Sequence, residues 1–478
     1  MTEDELVWRP ATELVELYRR GEASPVEAAQ AVLRRIEQVD PTLNAFCHTD
    51  PETTLAAARD SEQRWHRGSP AGPVDGVPTS IKDQLLTRGW PTRRGSRTTA
   101  AEAGVAIDQA WPDDSPAVAR LRERGAVLVG KTTTPEFGWK GVTDSPLTGI
   151  TRNPWRPACT PGGSSGGAAA AVAAGMGQLA LGTDGAGSVR IPASFAGVVG
   201  LKATFAQVPV YPSSAFGTLS HTGPLTRTVA DTALLLDVVS AADPRDPWAV
   251  PPPDVPFRAQ FGAGEPGGDA LAGLRIGFSP TLGYVRVDPE VASLVAAAVE
   301  VLRGLGAEVD LVDPGFADPL EPLETLWCAG AAALLRGVPA QRRELVDPGL
   351  RAMAERGELL TGVDVVLAGV ERTRLGLLMT ALHQRFPVLV TPTMPIPAFT
   401  AGQDVPDGWP DPAWTSWTPF TYPFNLTQQP ALTVPCGFTA GGLPVGLQLV
   451  ANRFDDALLL RVGHRYQQVT DWHTRRPA

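Results

Sequence analysis

The run Gly162-Gly163-Ser164-Ser165-Gly166 has the spacing G-x-S-x-G, in which a serine on a sharp strand-to-helix turn attacks an acyl carbon. That arrangement requires a strand before the serine and an acid and a histidine after it. His221, His383, His464 and His473 are available as bases, but the preceding segment Asn153 to Pro161 contains three prolines and cannot be a strand. Gly125 to Thr132 matches the phosphate-loop pattern G-x-x-x-x-G-K-T. Its four variable residues, Ala126-Val127-Leu128-Val129, are those of a buried strand rather than a flexible phosphate cradle, and Thr134-Pro135 disfavours an immediate helix. Gly262 to Gly267 matches a dinucleotide fingerprint, yet it lies in a Pro/Gly-rich stretch with Pro266 where the helix should open, and it reads as a loop.

Three segments taken together point to a different chemistry. They are Lys82 after Gly76-Val77-Pro78, the run Gly162-Gly163-Ser164-Ser165-Gly166-Gly167, and Gly182-Thr183-Asp184-Gly185-Ala186-Gly187-Ser188-Val189-Arg190-Ile191-Pro192-Ala193. In this order, with 24 residues from Ser164 to Ser188, they resemble the amidase signature family of serine hydrolases. The resemblance covers most of the chain. It extends from Ser24-Pro25-Val26-Glu27, through Gly223-Pro224-Leu225-Thr226-Arg227-Thr228-Val229-Ala230-Asp231, to Phe424-Asn425-Leu426 and Gly442-Leu443-Pro444-Val445-Gly446-Leu447-Gln448.

The resemblance implies a Ser-Ser-Lys triad, with Ser188 as nucleophile, Ser164 as a bridging serine on a cis peptide and Lys82 as base. The groups themselves make this intelligible. A serine hydroxyl is a poor nucleophile until a base takes its proton, and a lysine is a base only when neutral, a state that burial favours. Backbone N–H groups of Gly185, Ala186, Gly187 and Ser188 are then expected to face the oxyanion. Ser165, Thr183, Asp184 and Arg190 occupy supporting positions, with a structural ion pair at least as good a reading of Asp184 and Arg190. Strand alternation turns Asp83 away from Lys82. The family usually has Gly where this chain has Ala186, and a left-handed backbone there would strain the alanine. Neither cofactor nor metal is implied.

Helix and strand signals surround these segments. Residues 11 to 20, 24 to 38 and 52 to 66 read as helices, the second opened by the capping-box spacing of Ser24 and Glu27. Residues 76 to 83 read as a turn entering a short strand with Lys82 at its end. Helix 115 to 124, strand Ala126 to Val129, an Ala-rich helix within Gly163 to Gly187 and helix Val229 to Ser240 follow. Residues 241 to 270 form a linker or long surface loop. Leu274 to Phe278, Pro289 to Leu305 and Glu308 to Val312 make a strand-helix-strand unit, and a less regular helical stretch spans 320 to 385. Pro387 to Val390, Ala431 to Pro435 and Val445 to Val450 are further strands. The implied fold is α/β, a large mixed, mostly parallel sheet flanked by helices. Residues 1–70 form an N-terminal helical segment packed on an α/β domain of residues 71–478, together one structural domain.

With 41 basic and 51 acidic residues the net charge is −10, which argues against nucleic acid as a partner. Cys47, Cys159, Cys328 and Cys436 have no metal-ligand or disulfide-scaffold spacing. The acidic N-terminus lacks a signal-peptide pattern, and the longest apolar run, Gly166 to Gly182, is too short for a bilayer, so a cytoplasmic setting without membrane attachment is expected. The substrate is expected to be a small apolar or aryl amide, with carbamates and esters reachable by the same route. Cys328, Trp414, Trp417 and Phe424 are candidate pocket residues, and a homodimer is compatible with the sequence. The rival reading is a glutamine-dependent amidotransferase component that works with a partner in tRNA-linked amidation.

Overall fold

The computed structural model describes residues 2–99, 111–261 and 269–477. The chain begins with α1 (Glu3–Trp8), α2 (Ala11–Arg20), α3 (Pro25–Leu43), β1 (Phe46–His48) and α4 (Pro51–His66). The expected capping box at Ser24 and Glu27 opens α3, which continues through Pro41 to a left-handed cap at Asn44. It is therefore longer than its apolar stripe suggests. Next come β2 (Pro78–Lys82), α5 (Pro116–Glu123), β3 (Val127–Thr132) and a two-strand ribbon of β4 (Asp144–Ser145) and β5 (Gly149–Ile150). The central part comprises α6 (Gly166–Ala173), β6 (Leu179–Asp184), α7 (Arg190–Ala196), β7 (Val199–Lys202), β8 (His221–Thr226) and α8 (Val229–Val239). Further along the chain follow β9 (Arg275–Phe278), α9 (Pro289–Gly304), β10 (Glu308–Leu311), α10 (Leu320–Arg336), α11 (Pro348–Glu358) and α12 (Gly362–His383). The chain ends with β11 (Val388–Pro392), α13 (Pro423–Leu426), β12 (Ala431–Phe438), β13 (Pro444–Ala451) and α14 (Asp456–Gln468).

Eleven strands form one sheet in the order β1-β3-β2-β6-β8-β7-β12-β13-β11-β9-β10. The sheet is mixed and flanked by helices, as expected. Its parallel pairings are confined to β3-β2-β6 and β11-β9-β10. The pairings from β6 through β8, β7, β12 and β13 to β11, and that of β1 with β3, are antiparallel, so the expected predominance of parallel pairs is corrected. The strands β6, β7 and β8, which periodicity does not reveal, supply three of the six antiparallel pairings. They are buried and rich in Gly, and Gly223 sits so close to the neighbouring strand that a Cβ there would fall 2.2 Å from the Leu201 carbonyl oxygen.

The phosphate-loop match is the strand β3 that its apolar residues demand. Lys131 is fully buried there and donates to the Leu85 carbonyl and the Thr92 hydroxyl, both at 2.7 Å. The dinucleotide-like run at Gly262 to Gly267 lies outside the described residues. Among the described residues no helix is long and apolar enough to cross a membrane.

Candidate active site

Two adjacent parallel strands set up the site. β2 and β6 run side by side in register, Thr79 beside Leu179 and Ile81 beside Leu181, so both finish at the same end of the sheet. β2 delivers Lys82 as its last residue, and the turn after β6 delivers Ser188 two residues before α7. Ser164 arrives from the loop entering α6. That helix is made of Gly, Ala and Val because it is buried on every side: a Cβ on Gly167 would stand 2.3 Å from the Thr133 hydroxyl and 2.6 Å from the Ala45 carbonyl oxygen. Open α/β sheets place their crevices beyond such strand ends.

Lys82 is fully buried, and its Nζ lies within hydrogen-bond reach of Ser164 Oγ at 2.7 Å, Ser165 Oγ at 3.0 Å and Thr183 Oγ1 at 2.8 Å. Burial pushes its amine well below the ordinary lysine value, and the negative charge of Asp184 only partly opposes this. Two of these hydroxyls are themselves held. Ser165 Oγ donates to the Thr183 carbonyl and Thr183 Oγ1 donates to Gln84 Oε1, so each hydroxyl directs a lone pair at the amine. The Gly163–Ser164 peptide is cis. The Ser165 N–H donates to the Ser188 carbonyl at 3.0 Å, tying the two serine loops together.

Asp184 and Arg190 form a fully buried pair with Nε–Oδ2 and Nη2–Oδ1 both at 3.0 Å. Arg190 also donates to the Thr421 carbonyl, Gln448 Oε1 and Asn425 Oδ1. Asn425 in turn donates to Asp184, and the Asp184 carboxylate accepts from the N–H groups of Gly187 and Val189. This network fixes the turn that carries Ser188. Burial acts to raise the Asp184 pKa, but Arg190 outweighs it and holds the carboxyl well below the usual range. The pair therefore stabilises the fold above the ordinary carboxylate value of 3.8, and that contribution fades as pH falls toward the folded-state value. Arg190→Met is expected to cost about 3–5 kcal/mol by leaving Asp184 buried without its partner. Urea denaturation would measure the loss.

One expected oxyanion donor is already committed, because the Gly187 N–H is bonded to Asp184 Oδ1 at 2.8 Å. Gly185, Ala186 and Ser188 remain from the expected set. The positive φ in this turn, 128°, belongs to Gly187, where a Cβ would also lie 2.4 Å from Thr421 Oγ1. Ala186 has no positive φ and buries its methyl in an apolar cluster with Phe137 and Trp327, so the expected strain is absent. Asp83 turns away from Lys82, accepts from the Arg93 N–H at 3.0 Å and faces the Lys131 ammonium at 3.7 Å.

Ser164 and Ser188 open into a cavity of about 250 Å³ lined by Phe137, Phe216, Trp327 and Leu334, with Tyr211 and Arg94 also on its wall. Phe216 and Trp327 stack with centroids 4.0 Å apart. The four pocket candidates from the sequence do not line it. Cys328 faces a different hollow beside Glu324 and Arg356, Trp414 packs edge-on behind Trp327, Trp417 stacks on Phe195, and Phe424 is wholly in the core. The miss at Cys328 is one residue, which on a helix rotates the side chain by about 100°. The candidate histidines do not line this cavity, and His221 is held by the Leu219 carbonyl at 2.8 Å. Gln84, Thr421, Asn425 and Gln448 act in the supporting network without having been singled out as site residues. Asn425 and Gln448 lie inside motifs that carried the resemblance, whereas isolated Gln84 and Thr421 gave no signal.

A buried lysine amine held by two serines, one of which opens with Ser188 into a cavity, is the arrangement of a serine amide hydrolase. The chain belongs to the amidase signature family: the Amidase family pattern matches residues 27–460. It is similar to an acylamidase of Rhodococcus erythropolis, with 39% identity covering 100% of this chain and 99% of that protein. It is also similar to a glutamyl-tRNA(Gln) amidotransferase subunit of Chloroflexus aurantiacus, with 38% identity covering 96% of each chain. A solved bacterial aryl acylamidase of the amidase signature enzymes superposes with a TM-score of 0.88 at 28% identity, over 98% of this chain and 97% of that one.

Proposed function

We propose that this protein hydrolyses small amides with an apolar or aryl acyl group through an acyl-enzyme on Ser188. The observation that carries this reading is the apolar wall of Phe137, Phe216, Trp327 and Leu334 in the cavity into which Ser164 and Ser188 both open; the lining also includes the polar Gln84, Arg94, Thr183, Ser213 and Ser214. Lys82, whose burial favours the neutral amine, takes the proton of Ser164 as Ser164 takes that of Ser188. The Ser188 oxygen bonds to the carbonyl carbon, and the uncommitted amides of Gly185, Ala186 and Ser188 receive the negative oxygen. As the C–N bond breaks, the proton returns from Lys82 through Ser164 to the departing amine. Water, deprotonated along the same route, then attacks the ester and releases Ser188. Carbamates and esters present the same carbonyl to Ser188.

The amidotransferase reading rests on the similarity to the tRNA amidotransferase proteins. A free glutamine needs a negative group for its ammonium, and among the described residues no Asp or Glu lines the cavity. Trp327→Ala is expected to raise KM for benzoyl anilides roughly 10-fold or more, the equivalent of about 1.5–3 kcal/mol of lost apolar burial, with acetyl anilides much less affected. Amine release from anilides, carbamates and glutamine, each with and without a tRNA-amidating partner, tests the whole reading. Inert anilides together with partner-dependent release of ammonia from glutamine would overturn it.

A further inference from the structure

The hydroxyls around Lys82 Nζ govern the direction of its lone pair. A protonated lysine amine has three N–H donors and can serve all three neighbouring hydroxyls at once. The neutral amine has two N–H groups and one lone pair, so one neighbour must turn from acceptor to donor. Ser165 is unable to turn, because its Oγ gives its proton to the Thr183 carbonyl at 3.0 Å and already accepts the Thr183 N–H at 3.2 Å. One lone pair is left to face Lys82. Thr183 Oγ1 gives its proton to Gln84 Oε1 at 2.9 Å, an amide oxygen that only accepts. Ser164 Oγ, the nearest of the three at 2.7 Å, forms no other side-chain hydrogen bond among the described residues.

We propose, on the reading of Lys82 as the base, that Gln84 is a positioning residue: by holding the Thr183 proton it leaves Ser164 as the one neighbour toward which the neutral amine turns its lone pair. The orbital that receives the Ser164 proton is then aimed before substrate arrives. Gln84 stands two residues beyond Lys82 in the turn that leaves β2, where its N–H donates to the Lys82 carbonyl at 2.7 Å. Its side-chain amide fills the space that a side chain at position 138 would need, since a Cβ on Gly138 would collide with Gln84 Nε2. Without the Gln84 oxygen, the Thr183 proton turns to the Lys82 lone pair and the amine gives an N–H to Ser164 instead. Ser164 then meets the base with its oxygen and keeps a proton that the base is not placed to take.

The pH profile of anilide hydrolysis, taken as kcat and as kcat/KM, tests this. The charge that acts on Lys82 is Asp184, itself paired with Arg190. Gln84→Met keeps the side-chain length and removes the acceptor. Its kcat plateau is expected to fall roughly 10-fold, the scale of one misdirected hydrogen bond. Its acid limb is expected to move to lower pH, because the Thr183 proton then bonds only the neutral amine. Gln84→Glu accepts the same proton and adds a negative charge. It is expected to recover most of the plateau lost in Gln84→Met and to carry the acid limb to higher pH. In a Thr183→Val background no competing proton remains, so adding Gln84→Met is expected to change kcat less than about 2-fold. An equal loss with and without the Thr183 hydroxyl, or a Gln84→Glu variant as slow as Gln84→Met, would overturn the proposal. So would a rise in KM at unchanged kcat, which would make Gln84 a substrate contact alone. A wild type inert toward anilides, or turnover that survives in Lys82→Met, would overturn the underlying reading and the proposal with it.

Discussion

Ser188→Ala is expected to lower amide turnover on the order of 10⁶-fold, the scale seen when a serine hydrolase loses its nucleophile. The same variant should fold normally and fail to take up a fluorophosphonate label. The expectation follows from position. Ser188 is the hydroxyl that the Asp184 and Arg190 network holds in the turn after β6, and its carbonyl is fixed by the Ser165 N–H. Loss of an ordinary cavity-lining hydroxyl would change KM several-fold and leave labelling intact. Labelling that persists in Ser188→Ala and disappears in Ser164→Ala would instead make Ser164 the nucleophile.

Lys82→Met is expected to reduce kcat by roughly 10²–10⁴-fold, the usual contribution of a general base. Its pH behaviour separates a base from a structural lysine. The neutral amine is the active form, so wild-type kcat/KM should fall as pH drops through the depressed pKa of Lys82 and level off above it. Stability has the same sign. A folded-state pKa below the ordinary 10.5 means that the unfolded chain binds the extra proton between the two values, so stability rises with pH across that window. Lys82→Met should flatten that rise in part, because buried Lys131, lowered to about 8, and buried Lys202 retain theirs. Asp83→Asn serves as the comparison. It should keep most of the turnover per folded molecule while lowering the melting temperature, because Asp83 braces the Arg93 loop and faces Lys131. The reverse ranking of activities would remove Lys82 from the proton path.

Much of the outer architecture was legible because it obeys local rules. Ser24 and Glu27 cap α3, the Ala126 to Val129 run becomes β3 despite its phosphate-loop spelling, and β9, α9 and β10 follow the expected strand-helix-strand order. The centre of the sheet was not legible. Leu179 to Asp184 and His221 to Thr226 contain Gly and Pro, carry few β-branched residues and are buried on both faces, so they show neither alternation nor a strong apolar run. Their pairing is long-range, and it makes the middle of the sheet antiparallel.

The sequence by itself determined which residues are proposed to carry the chemistry. Lys82, Ser164 and Ser188 stand in motifs whose order and spacing are visible without coordinates, and a residue's capacity to act as base or nucleophile is a property of its type. Tertiary structure decided their state and surroundings. Complete burial lowers the Lys82 pKa, Asp184 occupies the Gly187 amide, and Trp327 rather than Cys328 faces the cavity. Desolvation and the direction of a side chain are set by packing against elements distant in the chain, and no local pattern encodes them; the Asp184–Gly187 bond is local, but the turn that forms it is held by Arg190 and the distant Asn425.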